Sequence, residues 1–223
     1  MSTQYRTALI IGTGPGLSSS LARLFARNGL SVAVTARNVD KLAALAAETG
    51  CSTHACDAAD PAAMDRLFTE VEARHGAPDV VVYNASARAR GPITGLDPEA
   101  VRRAMEISAF GAFLAAQQAA RRMLPAGRGA ILLTGATAGV KGFANSSSFA
   151  MGKFALRGLA QSLARELAPQ GVHVAHFVID GSIGPGDTQL SPDAIAETYW
   201  HVMHQHRSAW SWEVEVRPFV EKW

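Results

Sequence analysis

Short runs of apolar, often β-branched residues alternate along the chain with longer stretches in which apolar residues recur every three or four positions. The short runs predict buried strands and the longer stretches predict amphipathic helices. Such alternation is typical of strand–helix–strand units, which form a parallel sheet with helices on both faces. The pattern predicts an α/β fold with about six helices. Seven strands are predicted, near 7–11, 31–35, 52–56, 80–83, 130–134, 172–179 and 213–217.

Two helices have clear boundary signals. Leu17 and Phe25 lie on one apolar face of the first helix, and Gly29 marks its end because glycine readily follows a helix terminus. A later helix begins at Asp97, an N-cap residue followed by proline and glutamate, and extends to about Met123, where a Leu-Pro pair stops it. The start of the chain therefore contains a strand, a glycine-rich turn and a helix in succession. The stretch 181–192, rich in Gly, Pro, Ser and Asp, predicts a loop of the kind that forms a mobile lid.

Length and composition indicate one globular domain. The chain has 223 residues, enough for a full α/β core, and we expect a single domain over 1–223. Hydrophobic residues make up 48% and charged residues 18%, as in ordinary globular proteins. A formal net charge of +2 without a run of Lys or Arg argues against nucleic-acid and membrane partners. No stretch has the pattern of a signal peptide or membrane span, so we expect a cytoplasmic protein.

Neither a disulfide nor a metal centre is favoured. Cys51 and Cys56 flank the third predicted strand and are expected to be reduced packing residues. Glu197 and the three histidines at 201–206 include pairs three or four positions apart, which would share a helix face. They lack the context of a metalloenzyme motif, and we expect no metal site.

The first predicted strand is followed by Gly-Thr-Gly-Pro-Gly and then by the first helix. Gly12, Gly14 and Gly16 remove side chains where a backbone must approach a pyrophosphate, and the helix start at Leu17 supplies N–H groups and a favourable dipole. A tight turn by itself also uses glycine. The strand–turn–helix context nevertheless favours a dinucleotide site.

The end of the second predicted strand indicates which dinucleotide binds. An NAD-selective site has a carboxylate here for the ribose 2′-hydroxyl, whereas this chain has Ala36 followed by Arg37. A guanidinium can pair with a 2′-phosphate, so we predict NADP(H) as the cofactor. The alternative is that Arg37 is a solvated residue at the start of a loop.

These motifs resemble those of the short-chain dehydrogenase/reductase family, in its compact single-domain branch, over essentially the whole chain. The family's Gly-x-x-x-Gly-x-Gly motif corresponds to Gly12, Gly16 and Ser18, with serine in place of the third glycine. The resemblance implies a Rossmann-type, doubly wound, seven-stranded parallel sheet. It also implies cofactor contacts from Asp57, Asn84, Ala85, Lys153 and, through its backbone, Ile183.

Most of the family's catalytic side chains are replaced. Phe149 occupies the tyrosine position, Ala136 the serine position and Ser108 the asparagine position, and only Lys153 is kept. The resemblance implies that Lys153 holds the nicotinamide ribose hydroxyls; a snorkelling helix lysine is the alternative. In the family the tyrosine transfers the proton of the substrate oxygen, and such catalysis is worth roughly 10²–10⁴ in rate. Candidate substitutes are Tyr83, Lys141, Asn145, Ser146, Ser147, Ser148 and Asp180, none of which the sequence singles out.

Three functions stay open at this point. The first is an NADP(H)-dependent oxidoreductase of a carbonyl or alcohol, with a displaced or water-mediated proton donor. The second is an NADP(H)-binding sensor or structural subunit without redox activity, and the third is a lyase or isomerase using the same pocket. Family resemblance favours the first, without identifying the substrate.

The assembly state is also predicted from the resemblance. The family pairs its long helices, which are 97–123 and 146–168 in this chain, and tryptophans at 210, 212 and 223 suit an interface or the closure of the core. We therefore expect a homodimer or homotetramer.

Overall fold

Seven parallel strands form one sheet in a computed structural model of the protein, which describes residues 5–221. Their order across the sheet is β3-β2-β1-β4-β5-β6-β7, which confirms the doubly wound arrangement. The chain starts in the middle, builds towards β3, and then returns to place β4 on the other side of β1. The strands are β1 (Thr7–Ile11), β2 (Ser31–Ala36), β3 (Ser52–Ala55), β4 (Val80–Tyr83), β5 (Gly129–Thr134), β6 (Val172–Ile179) and β7 (Glu213–Val216).

Helices cover both faces of the sheet, and alternate residues of each strand face opposite sides. Ile10 of β1 packs in the cluster with the first, second and last helices, while Leu9 and Ile11 pack with the third, fifth and sixth. Within residues 5–221 there are seven α-helices, against about six expected. They are α1 (Leu17–Arg27), α2 (Ala43–Thr49), α3 (Pro61–His75), α4 (Pro98–Met105), α5 (Gly111–Met123), α6 (Ser147–Leu167) and α7 (Pro192–Met203).

The helix predicted over 97–123 is divided by a π-helical turn, Glu106–Phe110, between α4 and α5. Such turns disturb the regular hydrogen-bond ladder, and here the carbonyl oxygen of Ile107 accepts a hydrogen bond from the Tyr83 hydroxyl. A Cβ at Gly111 would overlap that hydroxyl, so glycine leaves room for it. Tyr83, a candidate proton donor in the sequence, therefore has a structural contact with the π-helical turn.

The remaining predicted segments also have counterparts. The segment 181–192 is mostly irregular, with an isolated bridge between Ile183 and Leu190. Cys51 and Cys56 are buried and are not bonded to each other. Among residues 5–221, no helix combines the length and the apolar character that a membrane crossing requires. Trp223 lies outside the described residues.

Candidate cofactor and active site

The turn between β1 and α1 is shaped by glycines under two different constraints. Gly12 has a φ of +86°, and a Cβ there would overlap the backbone of Ala85. At Gly14 and Gly16 a Cβ would meet no atom within 4 Å, so the bare backbone borders open space. Leu17 begins α1 and is buried. An open cradle of backbone beside a helix N-terminus is the arrangement that accepts a pyrophosphate.

Ser18, which replaces the third glycine of the motif, ties this turn to β4. Its Oγ donates to the carbonyl oxygen of Gly12 at 3.1 Å and accepts from Asn84 Nδ2 at 2.6 Å. The backbone N–H of Asn84 donates to the carbonyl oxygen of Ile11 at 2.9 Å. The serine thus contributes hydrogen bonds that hold Asn84 beside the turn.

A cleft of about 840 Å³ runs from the glycine turn past the carboxyl ends of β1 to β4 and is closed on one side by α4. This is the point where the strand order reverses, at which open α/β sheets bind their ligands. The structure brings six of the predicted cofactor residues together in the lining of the cleft: Gly12, Gly14, Arg37, Asp57, Asn84 and Ala85.

The other four predicted cofactor residues do not line this cleft. Gly16 is the N-cap of α1, and Leu17 is buried behind it. Ile183 lies in the 181–192 loop, where 39% of it is exposed. Lys153 is buried on α6, and only 3% of it is exposed. That these four residues contact a bound cofactor therefore stays a prediction.

Positive charge is concentrated where the cleft meets the end of β2. Arg37 and Lys41 both line the cleft there. Neither forms an ion pair in the part of the chain that the structure describes. Sequence reasoning missed Lys41, although its position four residues after Arg37 at a helix start was a usable signal. Two unpaired cations at this point suit a phosphate group.

Asp57 is the only acid in the lining of the cleft, and it is paired. The guanidinium of Arg103 on α4 donates to its carboxylate. Burial acts to raise the pKa of Asp57, but the backbone N–H of Ala59 and the charge of Arg103 outweigh it, so the pKa is lowered. Asp57 therefore stays ionised and is largely neutralised by its partner.

Lys153 lies beneath the ring of Phe149. Its Nζ is 5.8 Å from the centroid of that ring and donates to the carbonyl oxygen of Thr134 at 2.6 Å. Burial, and to a smaller extent the charge of Arg88, lowers the pKa of Lys153 to about 8. The Arg88 guanidinium carbon lies 4.4 Å from the Phe149 centroid. Two cationic side chains therefore flank an aromatic ring that carries no proton donor.

Tyr83 and Asp180, two of the substitute groups that the sequence offered, are engaged elsewhere. Tyr83 is bonded to the π-helical turn, and burial raises its pKa above the ordinary value. Asp180 accepts from the Thr137 hydroxyl at 2.6 Å and pairs with Arg217 at 2.9 Å. Ala136 begins the short helical turn at 137–139 and offers only a methyl group. None of these side chains is presented as a ready substitute for a tyrosine.

The strand order, the glycine turn and a cleft at the switch point define a Rossmann-type dinucleotide-binding protein. Residues 6–191 match the short chain dehydrogenase family, and the chain belongs to this family of oxidoreductases. It is 33% identical to the 3-oxoacyl-[acyl-carrier-protein] reductase MabA of Mycobacterium avium, over 83% of this chain and 69% of that protein.

Solved structures agree with this assignment. A short-chain dehydrogenase from Rhodopseudomonas palustris superimposes with a TM-score of 0.87 and 34% identity, covering 97% of this chain and 100% of that one. A metagenomic short-chain oxidoreductase in complex with NADP superimposes with a TM-score of 0.88 and 29% identity, covering 97% and 98%. The predicted family and fold are therefore confirmed.

Proposed function

We propose that the protein is an NADP(H)-dependent oxidoreductase of a carbonyl or alcohol substrate, with a site that lacks the family's catalytic tyrosine. The cleft carries this proposal because it joins a bare glycine turn to two cations at the end of β2 that form no ion pair within residues 5–221. The turn would bind the pyrophosphate through backbone N–H groups, and Arg37 and Lys41 would bind a 2′-phosphate through their positive charges. A family member of similar structure that was solved with NADP supports this choice of cofactor.

When bound, NADP(H) supplies the hydride that passes between its nicotinamide and the carbonyl carbon. This chain's own residues bind and orient the reactants. Asn84 and Ala85 form a wall of the cleft. The family resemblance assigns the ribose hydroxyls to Lys153. Arg37 distinguishes the phosphorylated ribose from the unphosphorylated one.

Proton transfer falls to a group other than residue 149, because phenylalanine has no acidic proton. Lys153 is the acid that the site offers: one of its three N–H donors is used by the Thr134 carbonyl, and two remain. A lysine with a pKa of about 8 is a stronger acid than an ordinary lysine. Its ammonium group does not, however, occupy the position that the family's tyrosine hydroxyl would have. Turnover of ordinary carbonyl substrates should therefore be slow.

A second candidate is an NADP(H)-binding protein without redox activity, such as a sensor or structural subunit. It is favoured by Phe149, Ala136 and Ser108 together, because the three replace the side chains that act on the substrate oxygen. A lyase or isomerase in the same pocket is the third. Cofactor binding without any NADPH oxidation would favour the second.

The cofactor assignment predicts that NADPH binds more tightly than NADH. Losing a charge-assisted contact costs about 1.5–3 kcal/mol, so Arg37→Glu should weaken NADPH binding by about 10- to 100-fold and barely affect NADH. Fluorescence titration of both nucleotides measures this. Arg27→Glu, the same charge change on the exposed end of α1, is the matched control. Equal affinities of the unchanged protein for the two nucleotides would remove the argument for NADP(H).

We also propose that the protein is a homodimer or homotetramer. Large apolar side chains are exposed along the helical segments 106–123 and 147–167, which suits an interface. Trp210 instead stacks on His173 of its own chain, with centroids 4.7 Å apart. The exposed side chains are Phe110, Phe113, Met151 and Phe154.

Light scattering at micromolar concentration should give the mass of a dimer or tetramer. Phe113→Glu combined with Phe154→Glu should shift the measured mass towards that of the monomer, because two charges would then lie at the interface. Ile93→Glu is the control, since Ile93 is 76% exposed and lies on neither helix. A monomeric unchanged protein would refute the proposal.

A further inference from the structure

Arg88 lies on a peptide segment that two buried serines hold in place. The Oγ of Ser108 accepts from the N–H of Ala87 at 3.1 Å and donates to its carbonyl at 3.2 Å. The Oγ of Ser148 does the same with Ala89, at 2.9 and 2.7 Å. Both serines are at most 1% exposed. The residues on either side of Arg88 are thus fixed, and Ser108, at the family's asparagine position, serves this clamp.

The clamped segment presents a cation at the end of the cleft. Arg88 lines the cleft and its guanidinium also covers the face of Phe149, at the family's proton-donor position. A ring stacked on the face of a guanidinium leaves the edge N–H groups available. No hydrogen bond or ion pair to those groups occurs within residues 5–221.

Further positive charge surrounds Arg88, and no acid within residues 5–221 forms an ion pair with it. Arg90 lies two residues away on the same segment, and Lys153 lies beneath the Phe149 ring. Burial, followed by the charge of Arg90, lowers the pKa of Arg88, so the charged form is disfavoured where it stands. Asp57, the one acid that lines the cleft, is held by Arg103. An anion beside Arg88 would offset this excess of positive charge.

We infer that Arg88 binds a carboxylate of the substrate, so that the protein acts on oxo acids or the corresponding hydroxy acids. The inference rests on the proposed function and names the substrate class for the same site. A carboxylate is a monoanion whose two oxygens match the guanidinium fork, and one such group balances one arginine. In reduction the carbonyl carbon gains the hydride and its oxygen gains a proton, while the carboxylate is unchanged.

The test compares acids with their neutral esters. Phenylglyoxylate, pyruvate and 4-oxopentanoate, each with its methyl ester, are titrated calorimetrically into the protein with and without saturating NADP⁺. At least one acid should bind about tenfold or more tighter than its ester, as expected for a charge-assisted contact. Arg88→Gln should remove that preference, and Arg88→Lys should restore only part of it. Arg90→Gln removes only a neighbouring charge and should keep most of that preference.

Several results would overturn the inference. These are esters binding as tightly as acids, none of the three acids binding, or Arg90→Gln having the same effect as Arg88→Gln. A loss of NADP⁺ affinity in Arg88→Gln with an unchanged acid-to-ester ratio would instead make Arg88 a contact of a cofactor phosphate, and would also overturn it. Failure of NADP⁺ to bind would count against the proposed function, whereas the cofactor-free titrations would still decide the role of Arg88.

Discussion

Changing Phe149 to tyrosine together with Ala136 to serine is expected to raise NADPH-dependent reduction of ketones and aldehydes by roughly 10²–10⁴-fold. The new tyrosine would stand beside Lys153 and Arg88, whose positive charges lower a phenol's pKa and favour proton transfer. The new serine would supply a hydroxyl to orient the carbonyl. Absorbance of NADPH over a substrate panel, for the original and changed proteins, measures the effect.

The same chemical change away from α6 is the control for this experiment. Phe219→Tyr adds a phenol at a position that is 87% exposed and should leave the rate unchanged. If the unchanged protein already turns over panel substrates at about 1–10³ per second, the usual range for enzymes, an efficient substitute acid exists. The interpretation of the site as catalytically impaired would then be wrong.

Strand positions were predictable because a parallel sheet buries both faces of each strand. Runs such as 80–83 must then be continuously apolar and β-branched, a local signal that needs no knowledge of the partner strand. The glycine turn was predictable for a similar reason, since Gly12 faces a backbone that any side chain would overlap. In both cases the physical constraint determines the type of the residue at the position itself, so the constraint is visible in the sequence.

Other features were hidden because they depend on contacts far apart in the sequence. The π-helical turn at 106–110 depends on the hydroxyl of Tyr83 and on the space left by Gly111. The helix pattern along 97–123 contains Gly111 but not Tyr83, so it does not show the contact between them. Ser18 looked like a tolerated replacement of glycine, whereas its hydroxyl links Gly12 to Asn84.

The residues of the candidate site also differ in whether they could be identified from the sequence. Residues proposed to contact the cofactor through backbone or charge, such as Gly14 and Arg37, lie shortly after a strand, line the cleft, and were identified from the sequence. Arg88 was not identified, because its significance comes from Phe149, more than 60 residues later, from Ser148 beside Phe149 on α6, and from Ser108 in the π-helical turn. Its role becomes visible only when these three segments meet.

Replacing Lys153 with methionine is expected to stabilise the protein at neutral pH while damaging its function. The difference between the ordinary lysine pKa of 10.5 and about 8 corresponds to about 3 kcal/mol of unfavourable burial of charge at neutral pH. Losing the hydrogen bond to Thr134 offsets about 1 kcal/mol of this, so Lys153→Met should gain about 2 kcal/mol at pH 7. Its affinity for NADPH should fall at least about tenfold, because the proposed ribose contact would be a charge-assisted one.

The pH dependence distinguishes this explanation from a simple gain in apolar packing. Between pH 8 and 10.5 the unfolded lysine holds its proton while the folded one has released it, so the wild type gains stability as pH rises through this window. The advantage of Lys153→Met should therefore shrink from pH 8 by about 1.4 kcal/mol per pH unit, reach zero at about pH 9.5, and become a deficit of about 1 kcal/mol by pH 10.5, when followed by urea unfolding. Because the tyrosines titrate equally in both proteins, the difference between the two curves isolates Lys153.

Lys141→Met, at an exposed lysine, should show no such trend. A variant less stable than wild type at pH 7, or a difference that does not change with pH, would show that Lys153 is not held as a buried charge.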